Sequence, residues 1–385
     1  MSVQVESFRI AVPEASLDDL RERLARTRWP DEVSEAGWEY GANLAYMREL
    51  IAYWHEGFDW RAQERAINAF AHFRAEVDGL GIHFIHERGT TPGAIPLVVT
   101  HGWPSSFTEM LKLIPLLTDP AAHGADPRDS FNVVVPSVPG FGFSERPLER
   151  GMTRSRVAGL WVRLMDGLGY GRFAAHANDI GAVITAFIGL DYPERLIGIH
   201  TMMPGFPRPH LGPDESDLSE AERAFLEVQR RWDQEEGGYN RVQETRPQTL
   251  AYGLNDSPAG LAAWIVEKWR AWTDPSGDFE RAFTKDELLT NVMVYWVTQT
   301  ANSSARSYYE RARDPRAVGP DERIRVPTGV ALTTEPVQRA PRAWVERRYT
   351  DLRHWTEFSR GGHFIALEEP ELLAADLRTF FRQFR

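Results

Sequence analysis

Hydrophobic residues in the first 75 positions recur three and four residues apart, which is the spacing of amphipathic helices. They mark two successive helices: Leu17, Leu20, Leu24, Leu44, Met47, Leu50, Ile51 and Trp54. Ser16 is predicted to cap the first helix, with Asp19 completing a capping box. Asp59 is predicted to cap a third helix that runs through Ala66. Residues 1–75 are therefore predicted to form a helical arm without a catalytic role.

From about residue 76 the pattern changes to short apolar runs that alternate with amphipathic helices. This alternation is typical of a mostly parallel sheet covered by helices on both faces. The predicted strands are Gly81–Glu87, Pro96–Thr100, Asn132–Pro136, Arg172–His176, Leu196–Met202, Val326–Thr333 and Arg353–Phe358. Apolar helical stripes run from Val157 to Leu168 and from Ile180 to Ile188, and Glu368–Phe384 is predicted to be the last helix. The fold class is therefore α/β.

Long helical patterns interrupt the alternation between residues 205 and 320. They begin with Asp217–Trp232 and end with Lys285–Arg313, after which the strand pattern resumes. The chain is therefore predicted to have four parts. These are the arm at 1–75, the first part of the core at 76–204, an inserted helical cap at 205–320 and the second part of the core at 321–385.

The composition narrows the functional classes. The 385 residues include 44 Lys and Arg against 55 Asp and Glu, and the net charge of −11 disfavours nucleic acid and anionic membranes as partners. The absence of cysteine excludes disulfides, thiolate zinc sites, iron–sulfur clusters and a cysteine nucleophile. No apolar run has the roughly 20 residues of a spanning helix, and the amino terminus lacks the apolar segment of a signal peptide. We expect a cytoplasmic protein.

Asp179 stands where a hydrolase would place its nucleophile. The sequence contains no Walker A motif, no H-E-x-x-H and no G-x-S-x-G elbow. Asp179 lies between the predicted strand Arg172–His176 and the helix that begins near Ile180. Ala177 and Gly181, two residues to either side, are small enough for a sharp strand–turn–helix elbow. An ordinary helix N-cap is the alternative for this aspartate.

Two further strand ends carry candidate catalytic groups. Trp103 follows the strand Pro96–Thr100 in a His-Gly-Trp-Pro sequence, where its backbone N–H would face a developing oxyanion. A packed tryptophan in a plain turn is the alternative. His363, in Gly-Gly-His-Phe, lies between the last strand and the last helix, where a hydrolase fold places its base, and Glu335 could orient the imidazole. His363 could instead be structural and Glu335 a surface carboxylate, with Asp351 as a rival acid.

Taken together, these positions resemble the epoxide hydrolases of the α/β-hydrolase fold, specifically the microsomal-type family with its amino-terminal arm. The resemblance covers nearly the whole chain and rests on Arg28-Trp29-Pro30, His101-Gly102-Trp103-Pro104, Asp179, Gly253-Leu254-Asn255-Asp256-Ser257-Pro258, Gly361-Gly362-His363-Phe364 and Glu368-Glu369-Pro370. It implies a mostly parallel sheet with an inserted helical cap and a helical arm, as in soluble bacterial members. The chain departs from the common family pattern in having Ala177-Asn178 in place of a glycine pair and Thr333-Thr334 in place of an aromatic–proline pair.

The family also implies two cap tyrosines that hold the epoxide oxygen. Tyr239 matches the first position, and Tyr308 matches the second, beside a neighbouring Tyr309. Without the family, both tyrosines are equally consistent with packing at the boundary between cap and core.

The reaction that this resemblance implies converts an epoxide to a vicinal diol. Asp179 would open the ring and form an ester while Tyr239 and Tyr308 donate hydrogen bonds to the ring oxygen. His363, oriented by Glu335, would then activate water. The backbone N–H groups of Trp103 and Ile180 would stabilise the oxyanion.

Neither a metal nor an organic cofactor is implied, and a homodimer is a family-level expectation. Thirteen Trp and 20 Phe predict a largely apolar pocket for a small epoxide substrate. Two other functions remain at this point. One is a haloalkane or haloacid dehalogenase, which uses the same aspartate and histidine; the other is a catalytically silent binding protein.

Overall fold

A computed structural model of the chain describes residues 3–209, 211, 217–276 and 279–385. Strands within these ranges form a nine-stranded sheet. The strands are β1 (Val5–Ser7), β2 (His72–Val77), β3 (Leu80–Glu87), β4 (Ile95–Thr100), β5 (Phe131–Pro136), β6 (Phe173–Ala177), β7 (Leu196–Thr201), β8 (Thr328–Leu332) and β9 (Leu352–Glu357). Every strand predicted from the sequence is present, with its ends within two residues of the predicted positions.

The sheet has the order β1-β2-β3-β5-β4-β6-β7-β8-β9. The six strands from β5 to β9 in this order are parallel, whereas β1, β2 and β3 pair antiparallel at one edge. The predicted mostly parallel sheet is therefore confirmed. Thr100 at the end of β4 lies opposite Ala177 at the end of β6, so the loops that follow these two central strands meet.

Helices cover the sheet and form the insertion. Their bounds are Glu14–Ala25, Leu44–Glu56, Trp60–Ile67, Leu113–Thr118, Arg154–Gly167, Asp179–Asp191, Glu220–Glu235, Gly238–Thr245, Pro247–Asp256, Pro258–Trp272, Phe279–Ala282, Lys285–Thr298, Ala301–Arg311, Arg342–Glu346, Ile365–Glu368 and Pro370–Phe381. The helices that pack on the sheet bury continuous apolar faces; Ile180 to Gly189, for example, are all buried.

The arm differs from its prediction in two respects. The capping box at Ser16 is wrong: the first helix begins at Glu14 after Pro13, whose fixed φ suits a helix start, and Asp19 pairs with Arg23 at 2.8 Å instead. The cap at Asp59 is confirmed, since its carboxylate accepts a hydrogen bond from the Ala62 N–H.

The arm also contains two strands that the sequence pattern did not predict. β1 is three exposed residues long, so it has no apolar alternation to detect. β1 is held by pairing with β2, the second of the two strands. β2 spans the predicted boundary between arm and core at residues 75 and 76. The division into 1–75, 76–204, 205–320 and 321–385 stays a prediction.

The inserted helices also have different ends from those predicted. The helix expected at Asp217–Trp232 begins at Glu220, because Ser219 and Glu222 form a capping box there. The single helix expected over Lys285–Arg313 is two helices, since Gln299 adopts a left-handed φ of 54° and ends the first.

The last predicted helix likewise starts later than expected. Pro370 occupies its first turn, and the short helix Ile365–Glu368 precedes it. No helix in the described ranges combines the length and apolarity that crossing a membrane requires.

Candidate active site

Asp179 sits on a sharp elbow between β6 and the helix Asp179–Asp191. Its φ of 49° is unusual for a residue with a side chain, and it turns the carboxylate toward the loop after β4. The elbow packs so tightly against the loop after β4 that two positions require glycine. A Cβ at Gly181 would overlap the Thr100 carbonyl, and a Cβ at Gly102 would overlap the Asp179 side chain. Asn178 occupies the N-cap position, so the alternative of an N-capping Asp179 is wrong.

The loop after β4 directs a backbone donor at this carboxylate. The Trp103 N–H donates a hydrogen bond to Asp179 Oδ1 at 2.9 Å. Ile180 lies in the first turn of the following helix, where backbone N–H groups have no partner inside the helix. Of the two groups predicted for an oxyanion hole, the Trp103 N–H contacts the Asp179 carboxylate, and Ile180 is the next residue along the chain.

His363 lies between two carboxylates. Its Nδ1 is 2.8 Å from Glu335 Oε2, and its Nε2 is 3.9 Å from Asp179 Oδ2. The rival acid Asp351 instead forms a two-point pair with Arg353 at 2.8 Å. Gln338, which the sequence reasoning missed, places its amide 2.9 Å from the same Nδ1.

Hydrogen bonds to three neighbouring residues hold the backbone of the His363 loop in place. The His363 N–H donates to the Trp272 carbonyl at 2.9 Å, and the Asn178 amide donates to the His363 carbonyl at 2.8 Å. The Glu368 carboxylate accepts hydrogen bonds from the Gly362 and Phe364 N–H groups, both at 3.0 Å. Asn178, at one of the departures from the family pattern, thus ties the elbow to the histidine loop.

The charges around His363 determine its protonation. Burial alone would lower the pKa of the imidazole, but the charge and hydrogen bond of Glu335, followed by the charges of Asp179 and Glu109, raise it to about 9. The imidazole is therefore protonated at neutral pH as long as these carboxylates are ionised.

Tyr239 and Tyr308 face the elbow from the inserted helices. Both side chains are buried, and their rings are 5.9 Å apart. The Tyr239 ring stacks on Trp103 with a centroid distance of 4.8 Å, and the Tyr308 ring meets the same indole edge-on at 6.0 Å. Tyr309 is turned away, beneath the Arg313 guanidinium.

Burial dominates the acidity of both hydroxyls. It raises the pKa of each tyrosine, and the nearby Asp179 carboxylate raises it further. Both tyrosines are therefore protonated at neutral pH, and both pack against Trp103 of the core.

Two buried charged residues near the site carried no recognisable sequence signal. Arg154 lies with its guanidinium 5.6 Å above the Tyr308 ring, and burial, followed by Arg311, lowers its pKa to about 10. Glu109 accepts a hydrogen bond from Ser105, yet burial raises its pKa to about 7. Each is a single charged residue in an ordinary helical or loop segment, so only its burial distinguishes it.

A cavity of about 60 Å³ opens onto these groups. Its lining combines the candidate catalytic residues with side chains of the β7 loop and the insertion: Asp179, Met203, Phe206, Arg208, Gln229, Trp232, Asp233, Tyr239, Trp272, Glu335, Val337, Gln338 and His363. The nucleophile, base and acid predicted from three distant strand ends thus all line this one cavity.

Comparison with known proteins identifies the family. The model for the epoxide hydrolase N terminus matches residues 5–110, and that for the alpha/beta hydrolase fold matches residues 95–238. The chain is 45% identical to the "Putative epoxide hydrolase" of Stigmatella aurantiaca, over 99% of this chain and 86% of that protein. It belongs to the epoxide hydrolase family.

Two further relatives support the assignment. The enzyme is 35% identical to Epoxide hydrolase 1 of Oryctolagus cuniculus, over 98% of this chain and 88% of the rabbit protein. The structure of Aspergillus niger epoxide hydrolase superimposes with a TM-score of 0.86 at 27% identity, covering 100% of this chain and 97% of the fungal one.

These findings confirm the predicted fold, the predicted family and the prediction of an epoxide hydrolase. They favour that activity over a dehalogenase and over a silent binding protein.

Proposed function

We propose that this epoxide hydrolase acts through a covalent ester on Asp179. The arrangement that supports the proposal most strongly is the pair of contacts made by one carboxylate. Asp179 Oδ1 accepts the Trp103 N–H at 2.9 Å, while Oδ2 lies 3.9 Å from His363 Nε2 inside the cavity. One oxygen is held by a backbone donor, and the other is presented to substrate and base.

In the first step, Asp179 Oδ2 attacks a ring carbon of the epoxide. A new carbon–oxygen ester bond forms as the ring carbon–oxygen bond breaks, and the electron pair moves to the ring oxygen. Tyr239 and Tyr308 donate hydrogen bonds to that oxygen and supply its proton. A carboxylate needs no base for this attack, which explains why an aspartate and not a serine stands at the elbow.

Ester formation changes the state of His363. The ester is neutral, so one of the two carboxylates that hold the imidazole protonated loses its charge. The pKa of His363 then falls toward its ordinary value, and the imidazole releases its proton. That proton balances the one transferred to the ring oxygen, so the tyrosines return to their neutral form.

In the second step, neutral His363 takes a proton from water, which adds to the ester carbonyl. The N–H groups of Trp103 and Ile180 stabilise the resulting oxyanion. As the tetrahedral intermediate collapses, the ester bond to the substrate oxygen breaks and the added hydroxyl gives its proton to that oxygen. The diol leaves, and the Asp179 carboxylate is restored beside a protonated His363. Glu335 keeps the imidazole oriented throughout.

The proposal is tested by trapping the ester. We expect His363→Gln, incubated with styrene oxide, to gain the mass of the epoxide on the peptide that contains Asp179, whereas wild type releases diol without accumulating adduct. The double variant Asp179→Asn with His363→Gln is the control and should gain no mass on this peptide. An adduct on any other residue, or none in the single variant while wild type releases diol, would refute the mechanism.

We also propose that the substrate is largely apolar and small. Met203, Phe206 and Val337 supply apolar cavity walls, and Trp232 and Trp272 add aromatic ones.

The homodimer implied by the family resemblance stays a prediction, which sedimentation equilibrium of the purified enzyme would test.

A further inference from the structure

Gln229 has a buried side chain that lines the substrate cavity. It lies in the helix Glu220–Glu235, only 2% of its surface is exposed, and it lines the same cavity as Asp179 and His363. Neither its amide nitrogen nor its amide oxygen has a hydrogen-bond partner among the described residues.

An unpaired amide in this position is energetically unfavourable. A buried donor or acceptor without a partner loses its hydration without compensation, and most buried polar groups in proteins are therefore paired. Two other amides beside the active site are at least partly paired: Gln338 contacts the His363 ring, and the Asn178 nitrogen donates to the His363 carbonyl, whereas the Asn178 oxygen has no partner among the described residues. Gln229 differs in that neither its amide nitrogen nor its amide oxygen is paired among the described residues, although its side chain lines the cavity that substrate enters.

The chemistry of the missing partner follows from the two free atoms. The amide oxygen accepts one hydrogen bond and the amide nitrogen donates others, from adjacent positions in one plane. A carboxamide has the complementary pair of groups. A simple carboxylate would have no N–H to offer the amide oxygen, and the exposed cavity residues Arg208 and Asp233 carry opposite charges, which gives no preference for a charged group.

We propose that Gln229 is a specificity-determining residue that binds a carboxamide group carried by the epoxide substrate. The proposal rests on the hydrolysis mechanism at Asp179 and specifies the substrate class of that same site. The epoxide ring reacts at Asp179, apolar atoms of the substrate contact the aromatic and aliphatic walls, and the carboxamide pairs with the Gln229 side chain.

The test compares matched substrates. Terminal epoxides with an alkyl chain ending in a primary carboxamide are paired with epoxides that end in an isopropenyl group of the same shape, and the chain is lengthened one methylene at a time. For each pair, kcat/KM is measured for wild type and for Gln229→Met, which keeps the side-chain length. We expect the ratio of amide to isopropenyl substrate to fall about tenfold in the variant at the best chain length, the effect of about one hydrogen bond.

Gln243→Met is the matched control. Gln243 is also buried in an inserted helix with an unpaired amide nitrogen, but it does not line the cavity, so the substrate ratio should not change. The melting temperature of Gln229→Met should not fall, because the replacement removes an unpaired buried polar group. Gln229→Leu provides a second variant if the methionine does not fold.

Two outcomes are separable. An unchanged ratio in folded Gln229 variants at every chain length, with epoxides still hydrolysed, would overturn the role of Gln229 and leave the mechanism intact. Failure of wild type to release diol from any epoxide of either series, or from styrene oxide, would overturn the mechanism and this inference with it.

Discussion

Replacing Asp179 by asparagine should lower the pKa of His363. The imidazole Nε2 lies 3.9 Å from Asp179 Oδ2, and this carboxylate is one of the groups that raise the pKa to about 9. The substitution keeps the shape of the side chain and removes its charge, which imitates the electrostatic change when the ester forms. It therefore isolates the step that turns His363 into a base.

The expected magnitude follows from the distance. Two unit charges about 4 Å apart interact by about 4 kcal/mol at an effective dielectric constant of ~20, which corresponds to a pKa difference of up to roughly 3. Glu335 remains in the variant and still favours the imidazolium. We therefore expect the pKa of His363 to fall from about 9 to roughly 6 to 7.

The measurement is a pH titration of histidine ring nitrogens by NMR in protein labelled with 15N-histidine. The chain has 11 histidines, and the signal that disappears in His363→Gln identifies the one of interest. Asp351→Asn serves as control, since that carboxylate pairs with Arg353 and should leave the titration unchanged. A pKa in Asp179→Asn within about 0.5 of the wild-type value would refute the charge coupling on which the second step depends.

Three further predictions concern single side chains. Glu335→Gln should slow ester hydrolysis at least about a hundredfold, because His363 loses its orienting carboxylate. Single-turnover kinetics should then show accumulated ester, and the control variant Asp351→Asn should behave as wild type. Tyr308→Phe should slow ester formation by roughly tenfold to a hundredfold, as expected for a hydrogen bond to a developing charge. The neighbouring variant Tyr309→Phe should be unaffected. Equal rates of ester formation in Tyr308→Phe and wild type, measured by rapid mixing, would contradict the assignment. Arg154→Met should also slow ester formation, because the guanidinium above the Tyr308 ring lowers the pKa of that hydroxyl. Its melting temperature should not fall, since a buried cation is removed, and a variant that loses stability at an unchanged rate would show a purely structural role.

The local sequence pattern determined the alternating strands and helices and the positions of the candidate catalytic groups. Apolar periodicity is a property of neighbours along the chain, so it predicted the core strands from Leu80–Glu87 onward and the stripe on the helix Asp179–Asp191. The elbow at Asp179 was equally readable, because the small residues that permit such a turn lie within two positions of it. Family resemblance then added Tyr239 and Tyr308, which no local pattern distinguishes.

Tertiary structure decided what depends on pairing and burial. Strand β1 has no apolar alternation and exists because β2 offers it hydrogen-bonding partners. Gln229 and Arg154 look like ordinary helical surface residues until packing buries them beside the site. Asp179 and His363 are 184 residues apart along the chain, yet 3.9 Å separates Asp179 Oδ2 from His363 Nε2. Such distances, and the pKa changes they produce, arise from the order of strands in the sheet and from the packing of the inserted helices against it. Residues that are adjacent in sequence specify neither of these two features.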